Sequence, residues 1–276
     1  MKRKLLRTAI EVFAVLVTVV VFLVPFAYVI LTSMKNPSEA SQMNLALPAK
    51  WLFVENYGAV LRAQNGMVIR AFINSTLITA LSILVLILVC AMSGYVLERR
   101  SNKLTGLVTF LVLAGLMIPP SVVTTIWVLK GMGLYKTIPG IVLIEVALSF
   151  PFSAILYKNF MVSIPRELDE AALIDGCSGW RLFSKIIFPL LQPVTATVIV
   201  LSAVGIFNDF TNPLYFLPGA KNATVQLTLY NFMSMYVTNW NLLFADVVLI
   251  SIPPLILFIF FNRQIVAGMT AGSVKS

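Results

Sequence analysis

The chain has 276 residues, of which 59% are hydrophobic and only 11% are charged, and its mean hydropathy is +0.94. Soluble domains are about half apolar and about a quarter charged, so this composition excludes an ordinary water-soluble fold. The net charge of +9 does not indicate a nucleic-acid-binding protein, because the basic residues form short clusters beside apolar runs, as orienting residues of membrane proteins do. We therefore expect a single membrane domain over residues 1–276, embedded in a lipid bilayer and without a nucleic-acid partner.

The residue types that support metal binding and hydrolysis are scarce. The chain contains no histidine, and its two cysteines are Cys90 and Cys177. This excludes a Cys/His zinc site and a histidine-based catalytic triad, and it provides no disulfide framework. We predict no catalytic residue, no metal site and no cofactor bound by this chain.

Six apolar runs are long enough to cross a bilayer, which requires about 20 residues per helix. They cover residues 9–31, 71–97, 104–129, 138–160, 193–217 and 242–261. The runs lack the alternation of barrel strands, so we predict an all-α membrane protein with six transmembrane helices. The first run exceeds the roughly 7–15 residues of a signal-peptide core, which favours an uncleaved span. Proline inside five of the runs predicts kinks or breaks.

Positively charged residues predict the orientation. They precede the first run, fill the second and fourth connections and follow the sixth run: Lys2, Arg3, Lys4, Arg7, Arg99, Arg100, Lys103, Lys158, Arg166, Arg181, Lys185 and Arg263. The third and fifth connections have fewer, whereas the first, residues 35–70, has four cations and is long enough for a small structured lobe. By the positive-inside rule, both termini are cytoplasmic.

The polar connection at residues 163–191 has the pattern of a short helix. Pro165 suits a first helical position, and Gly176 can adopt the left-handed conformation that ends a helix. Acids lie near the positive helix N-terminus, and a small apolar stripe runs beside them: Glu167, Asp169 and Glu170, then Leu168, Ala171 and Ala172. The acids disfavour an anionic membrane surface, so the pattern predicts docking of a soluble partner. A second stretch, residues 180–188, is expected to stop at Pro189.

These residues resemble the EAA loop of ABC-importer permeases. That loop has the pattern E-A-A, a glycine four positions after the second alanine, and a later I-x-L-P; the matching residues here are Glu170, Ala171, Ala172, Gly176, Ile186 and Pro189. Phe188 stands where the pattern usually has leucine. The resemblance implies that Leu168, Glu170, Ala171, Ala172 and Gly176 couple the chain to an ATPase subunit, with the glutamate making a polar contact and the alanines permitting close approach.

Further segments resemble the carbohydrate subfamily, which includes the maltose-type permeases. They are Trp51 to Leu61, Phe207 to Leu217, and Arg263 to Ser276. The resemblance implies the type I importer architecture and places the polar tail, residues 262–276, between ATPase subunits, with candidate contacts at Gly268, Thr270, Gly272 and Lys275. A frayed terminus is the alternative interpretation of this tail.

Charged residues inside apolar runs cost about 2.5–3.5 kcal/mol each on insertion scales, so each needs a reason. Asn208, Asp209 and Asn212 are candidates for hydrogen bonds to sugar hydroxyls, and Phe207 or Phe210 for stacking on a sugar ring. The alternative is that they pair with one another and maintain packing. For Glu145 and Asp246 we favour such a packing role.

The resemblance implies a permease subunit that imports a sugar or oligosaccharide by alternating access in a bacterial cell membrane. It also implies the partners: a dimer of cytoplasmic ATPases that bind ATP and Mg²⁺, a second permease subunit and an extracytoplasmic solute-binding protein. No G-x-x-x-x-G-K-[ST] motif occurs in the chain, which agrees with an energy source elsewhere. The alternative is a self-sufficient secondary transporter with Asp209 and Asp246 as ion sites.

Overall fold

The computed structural model describes residues 2–233 and 239–271, and the side chains of residues 10–230, 232–233 and 239–260. Within these residues all regular structure is helical and no strand occurs. The α-helices are α1 (Lys2–Ser33), α2 (Pro37–Ala40), α3 (Phe53–Arg99), α4 (Lys103–Met117), α5 (Val122–Gly131), α6 (Ile138–Met161), α7 (Glu167–Ile174), α8 (Trp180–Leu182), α9 (Phe188–Leu190), α10 (Gln192–Phe207), α11 (Thr211–Phe216), α12 (Val225–Thr228) and α13 (Trp240–Ala271). A π-helical turn (Phe183–Ile187) joins α8 to α9, and two 3₁₀ turns (Ala220–Asn222 and Leu229–Phe232) flank α12.

Four of the described helices are long and apolar enough to cross a membrane: Ile10–Ser33, Phe53–Arg99, Ile138–Met161 and Trp240–Phe260. Trp180–Leu190 and Gln192–Phe207 meet at 74° and add a fifth crossing if the bent pair is one span. The chain is therefore a multi-pass membrane protein. The predicted spans 9–31, 138–160 and 242–261 lie within α1, α6 and α13, and the predicted span 71–97 lies in α3 after the break in its helical backbone at residues 63–66.

Two predicted spans are not single helices. The run at 104–129 divides into α4 and α5, separated at Pro119 and Pro120, because proline lacks the N–H of the helical ladder and its ring clashes with the preceding turn. The run at 193–217 ends as α10 at Phe207, and its remainder forms the short α11 around Pro213. The kinks or breaks predicted from the prolines are therefore confirmed in these two runs.

The chain divides into two compact units. The first comprises Met1–Ala71 and Val225–Ile252. In this unit the Asn56 amide donates to the carbonyls of Ser33 and Lys35, both at 2.8 Å, and accepts from the Asn241 amide at 3.0 Å. These bonds join the end of α1 to the starts of α3 and α13. Hydrogen bonds therefore fix the start of the first connection, residues 35–70, where we predicted a small structured lobe.

The second unit comprises Phe72–Thr224 and Pro253–Ser276. Its main core is built from α3, α4, α6 and α10 and continues into the connection between α6 and α10: Leu86, Cys90, Ala91, Val112, Val142, Val146, Ala154, Tyr157, Met161, Ile164, Ala172, Leu182, Phe183, Ile187, Leu191, Val194 and Val198. The Tyr157 hydroxyl donates to Thr195 Oγ1 at 2.9 Å, which ties α6 to α10. Membrane helices and the polar connection therefore share one core.

Candidate functional site

The EAA-like segment forms a short helix with a defined end. Helix α7 begins at Glu167 with Arg166 as its N-cap, so Pro165 precedes the helix rather than opening it. Gly176 has φ +77°, in the left-handed region. The Cys177 N–H donates to the Ala172 carbonyl at 2.9 Å and the Gly176 N–H to the Leu173 carbonyl at 3.1 Å, which is the Schellman arrangement. The prediction that Gly176 ends the helix is confirmed.

The two faces of α7 have different environments. Asp169 and Ala172, three residues apart, are buried within the protein. Glu167, Glu170 and Ala171 are exposed, and Ile174 on the same outward face is 85% exposed. The predicted apolar stripe is thus divided: Leu168 and Ala171 are accessible, whereas Ala172 packs into the core of its own chain.

Arginines attach α7 to the end of α3. The Arg99 guanidinium forms an ion pair with Asp169 and donates to the Ile164 carbonyl at 3.0 Å. Arg166 donates to the Glu98 carbonyl at 3.1 Å. Both members of the Arg99–Asp169 pair are largely shielded from solvent, so removal of either one would leave a poorly solvated charge. These contacts hold α7 in place, so its outward face has a defined orientation.

Behind α7, the chain continues without a stop at Pro189. The helical path runs through a π-helical turn, where the Phe188 N–H donates to the Phe183 carbonyl, and reaches Leu190 before it bends. A proline disrupts the regular ladder one turn before itself, and a π turn accommodates that disruption. The expected stop at Pro189 is therefore wrong by about two residues, within the usual uncertainty of helix ends.

A cavity of ≈ 420 Å³ lies in the second unit against α6 and α10. It is lined by Glu145, Ser149, Phe152, Ser153, Leu201, Ser202, Gly205, Ile206 and Asp209. Glu145 accepts from the Asn212 amide at 3.2 Å, and Asp209 accepts from the backbone N–H groups of Thr211 at 2.8 Å and Asn212 at 3.3 Å. The break between α10 and α11 thus adds the Asp209 carboxylate to the cavity lining.

The predicted pathway residues therefore have different surroundings. Asp209 lines the cavity and Asn212 bonds to Glu145, which also lines it. The Asn208 amide donates to the Val204 carbonyl of its own helix at 3.0 Å. Phe207 is buried and lies near Phe72, with ring centroids 6.5 Å apart.

Glu145 and Ile174 are the residues to which sequence reasoning gave too little weight. Glu145, Ser149 and Ser153 recur every four residues along α6, a polar stripe that the sequence already contains. In the sequence, Ile174 is one of several apolar residues before Gly176, and nothing in the pattern indicates that it is exposed. In the first unit, Asp246 is buried and accepts from the Thr228 hydroxyl at 2.7 Å, as its expected packing role requires.

The predicted tail contacts lie at or beyond the end of the described chain. Gly268 and Thr270 fall within α13, which runs to Ala271, whereas Gly272 and Lys275 lie outside the described residues.

Comparison with known proteins decides the family. The sequence profile of the binding-protein-dependent transport system inner membrane components matches residues 91–271. The chain belongs to this family. The permease is 32% identical to a probable starch degradation products transport system permease protein of Thermoanaerobacterium thermosulfurigenes, over 91% of each chain. It is 33% identical to a melibiose/raffinose/stachyose import permease protein of Bacillus subtilis, again over 91% of each chain.

A solved structure has the same fold. It is a crystal structure of a bacterial ABC transporter involved in the import of the acidic polysaccharide alginate, and it superimposes with a TM-score of 0.84. The alignment covers 95% of the permease and 98% of that chain, at 18% identity. The permease is therefore a membrane subunit of a binding-protein-dependent importer with this fold.

Proposed function

We propose that the permease carries a sugar or oligosaccharide into the cytoplasm by alternating access, driven by ATP hydrolysis on separate subunits. The substrate class rests on the relatives, whose names specify starch degradation products and melibiose, raffinose or stachyose. We place the permease in a bacterial cell membrane as one domain with six crossings and both termini in the cytoplasm. A crossing at 104–129 then consists of α4 and α5 in succession.

The outward face of α7 carries this proposal. Ile174 is 85% exposed beside the exposed Glu170 and Ala171, although α7 lies outside the apolar spans. Leu168 and Leu173 of the same short helix are exposed as well, and several exposed apolar side chains together mark a partner surface. We assign Leu168, Glu170, Ala171, Ile174 and Gly176 to contact with a cytoplasmic ATPase. Ala172 lies on the buried face of α7, where its small side chain lets the helix pack closely against the core.

Closure of an ATPase dimer would move α7, and the shared core provides the path into the membrane. Ala172 lies in the same buried cluster as Leu86 of α3, Tyr157 of α6 and Val198 of α10. Because packed cores shift between arrangements rather than deform smoothly, a displacement of α7 is transmitted to these helices. The permease itself needs no cofactor; ATP and Mg²⁺ act on the ATPases.

Three further partners complete the proposed importer. A second, homologous permease subunit forms the other half of the pathway, and an extracytoplasmic binding protein delivers the sugar. The tail, with Gly268, Thr270, Gly272 and Lys275, contacts the ATPases. Asn208, Asp209 and Asn212 belong to the substrate pathway.

Co-purification tests the docking face. We expect wild-type permease, extracted in mild detergent, to elute with an ATPase and a second membrane subunit. Ile174→Asp and Glu170→Lys should each lower the ATPase yield about tenfold, as loss of a central interface contact does. Ser101→Asp is the matched control, because Ser101 is exposed in the α3–α4 connection on the same predicted side. A wild-type permease that elutes alone yet supports uptake contradicts the proposal.

A further inference from the structure

The cavity of the second unit has two polar walls. On α6, Glu145, Ser149 and Ser153 lie on one face at intervals of four residues. On α10, Ser202 faces the same space, and Asp209 follows the end of that helix. Apolar side chains, among them Phe152, complete the lining. Apolar walls with a few convergent polar groups are typical of small-molecule sites.

The serine hydroxyls of this cavity have no partner among the described residues. Elsewhere in the described helices, hydroxyls donate to the carbonyl four residues earlier, as Thr109 does at 2.9 Å and Ser184 at 2.7 Å. Ser149, Ser153 and Ser202 make no such bond and no other hydrogen bond within the described part of the chain. Ser153 is nevertheless only 1% exposed. A hydroxyl that lines a cavity and lacks a protein partner is free to bond to a molecule inside that cavity.

The carboxylates at the end of the cavity are held in place by the chain. The Asn212 amide and two backbone N–H groups occupy part of their hydrogen-bonding capacity. A carboxylate has about four acceptor positions, so capacity remains for ligand O–H groups. The site therefore offers oxygen acceptors together with hydroxyls that both donate and accept. A polyhydroxylated neutral ligand matches this combination, because its hydroxyls also do both.

The dimensions of the cavity are those of a small-molecule site. Glu145 and Ser153 are separated by about 12 Å along a helix that rises about 1.5 Å per residue. The volume of ≈ 420 Å³ lies within the range of about 300–1,000 Å³ for ligand sites. We propose that this cavity binds one pyranose unit of the transported saccharide, with Glu145 and Asp209 accepting from its hydroxyls and Ser149, Ser153 and Ser202 bonding to the others. This inference rests on the proposed sugar-import function.

A cavity-filling substitution tests the site. Gly205 lines the cavity and a Cβ added there would meet nothing within 4 Å, so we expect the side chain of Gly205→Leu to occupy part of the cavity. We would reconstitute the full importer with its binding protein and measure uptake of maltotriose, raffinose and stachyose. Gly205→Leu should lower uptake of the transported saccharide about tenfold or more, by steric exclusion. Gly106→Leu on α4 is the matched control, since a Cβ there also meets nothing within 4 Å.

A labelling experiment detects the ligand directly. In a Cys90→Ala, Cys177→Ala background, we would introduce Ser153→Cys and follow its reaction with a small methanethiosulfonate reagent. At about ten times its apparent Kd, the transported saccharide should slow labelling about tenfold in the assembled importer. Ser101→Cys, exposed in the α3–α4 connection, should react at the same rate with and without saccharide.

The outcomes separate the two proposals. If the wild-type importer takes up none of the three saccharides and their addition protects no cysteine, the result contradicts both the proposed sugar import and the proposed pyranose site. If the wild type imports a saccharide while Gly205→Leu imports it within about twofold, or Ser153→Cys labels at an unchanged rate, the import function stands and the cavity is not the binding site. Reduced uptake by Gly205→Leu together with protection of Ser153→Cys supports the site.

Discussion

Gly94 of α3 lies close against α6. A Cβ at this position would lie 2.6 Å from the Tyr157 Cβ and 2.9 Å from the Lys158 backbone nitrogen. The obstacle is backbone and the root of a side chain, neither of which can rotate away. Since Tyr157 also bonds to Thr195 of α10, a shift of α6 would reach the wall of the cavity.

Gly94→Ala should therefore destabilise the permease. Overpacking of a well-packed core costs about 1–3 kcal/mol, so we expect a lower unfolding temperature in detergent, measured by thermal scanning. Gly58→Ala is the control, because Gly58 also lies in α3 but a Cβ there meets nothing within 4 Å. Unfolding of Gly94→Ala at the wild-type temperature would show that α3 and α6 do not approach as closely as described.

At the level of the element, Gly176 serves α7 through its backbone. Its φ of +77° is unfavourable for residues with a Cβ, by about 1–2 kcal/mol, and Asn tolerates this region better than a β-branched residue. The space beside it is open, because a Cβ would meet nothing within 4 Å. Conformation, not packing within the chain, therefore requires glycine here.

A pair of substitutions separates this conformational role from partner contact. Gly176→Asn should retain most uptake, whereas Gly176→Val should lose at least about fivefold, because strain of about 1–2 kcal/mol distorts the end of α7. Uptake by the reconstituted importer is the measurement, with complex yield recorded in parallel. If Asn and Val impair uptake equally, the partner must approach Gly176 too closely for any side chain.

Sequence reasoning succeeded where one pattern has one structural meaning. Long apolar runs predict membrane helices, and a glycine at the end of an amphipathic segment predicts its C-terminus. The sequence could not show which face of α7 is buried. The apolar stripe with Ala172 has the same pattern whether it packs on the core of this chain or on a partner protein. Likewise, the sequence shows that Glu145, Ser149 and Ser153 share one face of α6. Whether that face and Ser202 line the same cavity depends on how α6 and α10 are rotated relative to each other.

For the whole molecule, the central question is the source of energy. The ion-coupled alternative assigned ion sites to Asp209 and Asp246. Asp246 is completely buried in the first unit and bonded to Thr228, whereas Asp209 is held by backbone N–H groups in the second. Both carboxylates thus have bonding roles within the chain. The chain also lacks a phosphate-binding loop, which agrees with the proposal that ATP acts on separate subunits.

Uptake into proteoliposomes should therefore depend on ATP and not on an ion gradient. With ATP and Mg²⁺ on the ATPase side and identical buffers across the membrane, we expect full saccharide uptake, unchanged by a protonophore or a sodium ionophore. Replacing ATP with a non-hydrolysable analogue should abolish it. Because we propose that the docking face couples hydrolysis to transport, Ile174→Asp should reduce uptake even when excess ATPase restores complex formation. Uptake that persists without ATP and collapses with the ionophores would instead establish ion coupling, with Asp209 as a candidate ion site.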